Sequence, residues 1–113
     1  MAQITLVEAI NLALKREMER DSAVVVLGED VGVDGGVFRA TLGLIERYGP
    51  ERVIDTPLAE TLIAGMAIGM AIYGLKPVPE IQFSGFSFQA FHQIENHAAR
   101  YRTRSRGAIT IPL

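Results

Sequence analysis

The sequence contains no cysteine and no tryptophan, and its formal net charge is only −2 over 113 residues. Without cysteine there is neither a disulfide framework nor a thiolate metal site, which is typical of a reducing compartment. The nearly balanced charge excludes a global positive field of the kind that holds nucleic acid or an anionic membrane. The composition, 49% hydrophobic and 21% charged, is that of one globular domain.

The sequence also lacks a membrane-spanning run and a secretory signal. The longest apolar run, residues 62–75, is shorter than the ~20 residues that cross a bilayer, so it predicts a core helix. The N-terminal segment has no basic start, and Glu8 interrupts its apolar residues. We therefore expect no nucleic acid or membrane partner, and a location in the cytoplasm or in an organellar matrix.

What the chain does contain is an alternation of short apolar runs and helical patterns. Four runs predict strands, and their frequent β-branched residues favour burial. The predicted strands are "AVVVLG" (23–28), "RVIDTP" (52–57), "KPVPEIQF" (76–83) and "AITIPL" (108–113). Strands that alternate with helices pair in parallel. The predicted fold is therefore an α/β sandwich, a mostly parallel sheet flanked by helices.

Four segments predict helices between these strands. Thr5 and Glu8 form a capping-box pattern that opens a helix ending near Arg20. In "DTPLAETLIAGMAIGMAIYG", Thr56 is the expected N-cap and Pro57 the expected first helical residue. The other two predicted helices are a short one within 40–50 and a continuous one over 84–104.

Three acidic residues fall at or just after the carboxyl ends of predicted strands, where parallel sheets bind ligands. They are Glu29, Asp55 and Glu60. Solvated loop positions would explain them equally simply. Glu60 also has a structural interpretation, because an acid near a helix N-terminus is stabilised by ~0.3–1 kcal/mol. It lies one position too late for a capping box, however, and leads into small residues that favour a packed interface. A carboxylate there needs a partner.

Other candidate sites are weaker. No segment matches G-x-G-x-x-G or a Walker motif, so the chain offers no evident phosphate cradle. His92 and His97 are five residues apart, about 140° around an α-helix, and should not chelate a metal from one face. The alternating arginines from Arg100 to Arg106 are expected to face solvent or a partner.

Several motifs, in order along the chain, resemble the β subunit of the thiamine-diphosphate-dependent 2-oxo acid dehydrogenases. They are "GEDVG", "DGGVF", "VIDTPLAE", "IAGMAIGMA", "GLKPVPEIQF" and "RYRT". The resemblance implies a transketolase-like, pyrimidine-binding domain within a decarboxylating enzyme. The sequence does not choose among pyruvate, branched-chain 2-oxo acids and acetoin, and we take pyruvate as the expected substrate.

The resemblance also implies roles for individual residues. Glu60 would hydrogen-bond the ring nitrogen of the cofactor's aminopyrimidine and promote its imino tautomer, and Glu29 would be a proton-relay partner. Apolar Leu58 would help exclude water, Phe86 would pack on the pyrimidine, and Gln82 would lie nearby. Leu113 falls where some members offer a backbone carbonyl to a potassium ion.

The same resemblance implies partners. An α subunit would hold magnesium and the diphosphate within a heterotetramer, and a lipoyl acyltransferase core would accept the acyl group. Because an apolar strand ends the chain without a covering helix, we expect residues 1–113 to be the N-terminal part of this domain, inactive alone. Two alternatives remain: a receiver-type signalling domain phosphorylated on Asp55, and a non-catalytic interaction module.

Overall fold

The computed structural model describes residues 3–113, which form a parallel sheet with helices on both faces. The strands are β1 (Val24–Gly28), β2 (Val53–Asp55) and β3 (Lys76–Pro79). The α-helices are α1 (Leu6–Arg20), α2 (Leu44–Tyr48), α3 (Glu60–Ile72), α4 (Ser87–Gln93) and α5 (Tyr101–Arg104). A 3₁₀ turn, Ser84–Phe86, precedes α4, and a π-helical turn, Ile94–Ala98, follows it.

The sheet has the order β2-β1-β3, and both neighbours pair with β1 in parallel. The central strand β1 is buried along all five residues. Its side chains alternate between two cores, as a period of two requires. Val26 packs with Met18 and Leu44 on one face, and Leu27 packs with Ile63 on the other. The predicted α/β class is confirmed, and among residues 3–113 no helix is long and apolar enough to span a membrane.

The first helix begins where the capping box predicted. The Glu8 amide donates to Thr5 Oγ1 at 3.2 Å, and the Thr5 amide donates to Glu8 Oε2 at 2.7 Å. The helix then ends at Arg20, as expected.

The predicted start of the third helix was wrong by three residues. Helix α3 begins at Glu60 and its N-cap is Ala59, not Thr56. The reason lies in the sheet: the Thr56 amide donates to the Gly28 carbonyl at 2.9 Å, which keeps Thr56 in the extended ladder beside β1. Glu60 is therefore the first residue of the helix.

The predictions for the C-terminal third also need correction. The strand expected over 76–83 ends at Pro79, and the helix expected over 84–104 is divided into four short segments. The strand expected over 108–113 is absent from the described part of the chain. A strand needs a neighbour to pair with, whereas this segment lies against helices, with Leu113 beside Ala64 and Ile94.

Candidate functional site

The carboxyl ends of the three strands meet at one edge of the sheet, and the start of α3 lies there. Backbone bonds extend the pairing just past the strands: the Glu80 amide donates to the Leu27 carbonyl at 2.8 Å. Glu29 follows β1 directly, and Glu60 opens α3 after the turn that follows β2. This edge is the usual ligand-binding position of an open parallel sheet.

Glu29 and Glu60 are both removed from solvent at this edge. Glu29 is 6% exposed and Glu60 is 4% exposed. Burial raises the pKa of the Glu29 carboxyl above its ordinary value of 4.5, and the nearby charges of Glu60 and Asp30 raise it further. The Ala59 backbone amide acts in the opposite direction. Burial beside other acids thus favours the protonated form of Glu29.

Each of these two carboxyl groups has an oxygen without a hydrogen-bond partner. In residues 3–113, nothing donates to Glu29 Oε1 or to Glu60 Oε2, although both atoms are buried. Buried polar atoms in native proteins are nearly always hydrogen-bonded. These two oxygens, at a ligand-binding edge, are therefore positions where a water, a ligand or a partner chain could donate a hydrogen bond.

Asp55 also lies at the carboxyl end of a strand, as the sequence predicted, but its carboxylate bonds backbone amides of this chain. The Gly32 amide donates to Asp55 Oδ1 at 2.6 Å, and the Val33 amide donates to Oδ2 at 3.4 Å. The carboxylate therefore holds the glycine-rich loop after β1. Of the three acids that the sequence placed at the carboxyl ends of strands, the structure thus brings Glu29 and Glu60 within range of each other's charge, while Asp55 bonds the loop.

The other residues that the sequence singled out occupy different positions. Gln82 Nε2 donates to Asp30 Oδ2 at 3.1 Å and to the Glu29 carbonyl at 3.3 Å, so it braces the loop that carries Glu29. Phe86 is 43% exposed and packs edge-on against Phe83, with ring centroids 5.4 Å apart. Leu58 is 82% exposed in the turn before α3.

Leu113 lies apart from the acids, on the α3 and α4 side of the sheet. It lines an apolar pocket of about 110 Å³ together with Ala64, Ile68 and Ile94. Within residues 3–113, no group of three or more His, Asp or Glu side chains could hold a metal ion. That absence concerns side chains only, and the potassium assignment of the Leu113 backbone carbonyl stays a prediction.

Comparison with known proteins identifies the family. Residues 2–112 match the family described as "Transketolase, pyrimidine binding domain". The chain belongs to the transketolase pyrimidine-binding domain family. The match covers nearly the whole chain and agrees with the parallel sheet seen here. It supports neither a receiver-type signalling domain phosphorylated on Asp55 nor a non-catalytic interaction module.

Bacterial relatives of this pyrimidine-binding domain are β subunits. The chain is 58% identical over 113 residues to the "Pyruvate dehydrogenase E1 component subunit beta" of Acholeplasma laidlawii, covering 100% of this chain and 35% of the relative. It is 55% identical over 113 residues to the "2-oxoisovalerate dehydrogenase subunit beta" of Bacillus subtilis, with the same coverage. It is 54% identical over 110 residues to the "3-methyl-2-oxobutanoate dehydrogenase subunit beta" of Mycobacterium tuberculosis, covering 97% of this chain and 32% of the relative. The chain thus spans about a third of the length of these relatives.

Two polar residues at the edge of this pyrimidine-binding domain were missed by sequence reasoning. Glu80 Oε2 and Thr56 Oγ1 are buried and have no hydrogen-bond partner in residues 3–113. Burial raises the pKa of the Glu80 carboxyl, and the Asp30 charge raises it further. The available signal for Glu80 was its place directly after β3, the position that singled out Glu29 after β1.

The two histidines also differ from expectation. Their rings are 5.7 Å apart between centroids, at an interplanar angle of 75°. The prediction that His92 and His97 point to different faces was wrong, because the turn between them is π-helical rather than α-helical. In a π-helix, residues five apart lie on successive turns of one face.

Proposed function

We propose that this chain supplies the pyrimidine-side half of a thiamine diphosphate site in the β subunit of a 2-oxo acid dehydrogenase. The observation that carries the proposal is the buried pair Glu29 and Glu60, each with an unpaired oxygen, at the ligand-binding edge of the sheet. The family and the β-subunit relatives support the same function. On this proposal, residues 1–113 are the N-terminal part of the pyrimidine-binding domain.

The buried acids fit the cofactor's aminopyrimidine. That ring has a basic nitrogen and an amino group, whereas a protonated carboxyl offers one donor and a further acceptor. Glu60 Oε2 is the unpaired atom on the first residue of α3, so it is the atom proposed to face the ring nitrogen. When bound, thiamine diphosphate supplies a carbon nucleophile and an electron sink for decarboxylation of a 2-oxo acid.

The chain's own residues would control the proton at this ring. Glu60 would give a proton to the ring nitrogen and recover it, which a carboxyl can do in a site closed to water. Glu29 lies close enough for the two charges to interact. Its raised pKa makes it a proton-holding partner rather than a second fixed negative charge.

The surrounding side chains would position the ring. Phe86 presents a half-exposed aromatic face on which a flat heterocycle can stack. Gln82 braces the loop that carries Glu29. Leu58, exposed in this chain, would cover the site from water when the partner subunit closes over it.

The remaining parts would come from partners. This chain has no phosphate-binding motif, so we propose that an α subunit holds the magnesium and the diphosphate in a heterotetramer. Potassium would bind near the Leu113 carbonyl. A lipoyl acyltransferase would accept the acyl group, in the cytoplasm or in an organellar matrix.

The substrate is proposed to be a 2-oxo acid, with pyruvate as the first candidate. The names of the relatives divide between pyruvate and branched-chain substrates at nearly equal identity. Substrate choice is therefore best measured by comparing both classes in the same assay.

The test uses a chimera in which residues 1–113 replace the matching part of the Acholeplasma laidlawii β subunit, co-expressed with its α subunit. The chimera should decarboxylate a 2-oxo acid in the presence of thiamine diphosphate. Glu60→Gln should lower kcat by ~10²–10⁴-fold, the range for a positioned acid–base group. Glu46→Gln, a change at an exposed acid on α2, is the matched control and should leave activity intact. Assembly is checked by the size of the complex. An assembled Glu60→Gln enzyme with unchanged kcat would refute the catalytic role.

A further inference from the structure

His92 and His97 face each other across one turn of helix. His92 lies in α4 and His97 lies in the π-helical turn Ile94–Ala98. An α-helix would separate them by about 140°, but the wider π turn brings their rings together edge to face, at an interplanar angle of 75°. Single π turns of this kind occur frequently at functional sites.

Among the described residues, neither imidazole ring takes part in a hydrogen bond. Within residues 3–113, no backbone or side-chain group forms a hydrogen bond with either ring. His92 is exposed and His97 is half-buried, so the space between them opens to solvent. The His97 ring also lies beside the Tyr101 ring, with centroids 5.8 Å apart.

The centroid spacing of the rings allows joint coordination of one metal ion when one nitrogen of each ring faces the space between them. A ring centroid lies ~3.2 Å from a metal on either of its nitrogens, since zinc–nitrogen bonds are ~2.0–2.1 Å. Two rings at 5.7 Å then subtend about 125° at the metal. A tetrahedral angle needs about 5.2 Å, a difference that small side-chain rotations can close. Imidazole is a preferred ligand of zinc, copper and nickel.

We propose that His92 and His97 bind one divalent transition-metal ion of the zinc class, with water completing its coordination. The site has two protein ligands, because no third His, Asp or Glu of the described residues joins them. The nearest acid on the helix, Glu95, already pairs with Arg100. The expected affinity is therefore that of a modest, exchangeable site rather than of a structural zinc.

The test is a titration of the full 113-residue chain with zinc chloride, followed by calorimetry at about pH 8 in a buffer that does not bind metals. The expected stoichiometry is one zinc per chain. His92→Ala and His97→Ala should each weaken binding by about tenfold or more, because the second imidazole no longer binds at high effective concentration. Asn96→Ala changes a neighbour on the same turn and should leave binding unchanged.

A register-shifted variant tests the role of the π turn. His97→Ala combined with Asn96→His moves the second ring to four residues from the first, the spacing that suits an α-helix. If the turn is π-helical, this variant should bind zinc at least several-fold more weakly than the parent chain. Tighter binding by the shifted variant, or zinc binding that survives the loss of both histidines, would overturn the proposal. Circular dichroism of each variant confirms that the helix is retained.

Discussion

Replacement of Glu29 by glutamine should stabilise the isolated chain at neutral pH. The carboxyl is 6% exposed, and its Oε1 has no hydrogen-bond partner in residues 3–113. An unsatisfied buried polar group costs ~1–3 kcal/mol, and more when it is charged. Glutamine keeps the shape and an acceptor for the Ala59 amide but cannot ionise. We therefore expect the free energy of unfolding at pH 7.5 to rise by ~1.4 kcal/mol for each pH unit between 4.5 and the folded pKa, because only the cost of ionisation is removed.

The stability gained by Glu29→Gln should increase as the pH rises. Below 4.5, the ordinary value for this carboxyl, folded and unfolded chains both hold the proton. As the pH rises above 4.5, the unfolded chain releases it first, because folding raises the pKa of Glu29. The wild-type free energy of unfolding therefore falls, relative to Glu29→Gln, as the pH rises through this window. The difference should be close to zero near pH 4 and largest above the folded pKa.

Urea denaturation followed by far-ultraviolet circular dichroism measures this difference at pH 4, 5.5 and 7.5. With m-values of ~1–3 kcal/mol/M, the midpoints should separate by about 1 M at pH 7.5 and converge at pH 4. Glu46→Gln serves as the control, because its side chain is exposed on α2 and no pH-dependent gain is expected. A Glu29→Gln chain that is less stable at pH 7.5, or a gain equal at all three pH values, would refute the reasoning.

Three further substitutions test the surroundings of the site by the same urea assay. Gly32→Ala should lower the free energy of unfolding by ~1–3 kcal/mol, because its Cβ would lie 2.6 Å from Asp55 Oδ2 and displace the carboxylate that holds the loop. Gly85→Ala is the control and should leave the free energy of unfolding unchanged, because a Cβ there meets no other atom of the described residues. Thr41→Val should lower the free energy of unfolding by ~1–3 kcal/mol, because the buried Thr41 Oγ1 donates to the Val31 carbonyl at 2.7 Å. Thr41→Ser keeps the hydroxyl and should retain most of the wild-type stability. Thr5→Ala removes the capping box of α1 and should cost ~0.5–2 kcal/mol, and an unchanged midpoint would count against the cap.

Local signals predicted those parts of the fold in which local and tertiary preferences agree. The capping box fixed the start of α1 because both of its bonds join Thr5 and Glu8, only three residues apart. The run "VVVLG" predicted β1 because a strand buried on both faces needs apolar residues throughout. Glu29 followed from this strand as an acid at its carboxyl end.

Tertiary contacts decided the places where prediction failed. Thr56 has the chemistry of an N-cap, but pairing with Gly28 holds it in the sheet, so α3 begins at Glu60. The π turn between the histidines has no signature in residue spacing, since apolar periodicity cannot distinguish a single wide turn within a helix. The apolar segment 108–113 has the residue pattern of a strand. A strand also needs an adjacent strand whose backbone N–H and C=O groups are free to pair with it, and no local pattern shows whether one is present.

The start of α3 is where the chain satisfies its own polar groups least. Four buried side-chain oxygens lack a partner in residues 3–113, and three of them, on Glu29, Thr56 and Glu60, lie at or beside this start. Such atoms lower the stability of the isolated chain, and on the proposed function they are the groups that would bond an incoming heterocycle. Stability and function should therefore oppose each other here. Glu60→Gln should leave the isolated chain at least as stable as the wild type while it lowers the kcat of the chimeric enzyme. If Glu60→Gln lowered both the stability of the chain and the kcat of the chimera, Glu60 would instead have a structural role.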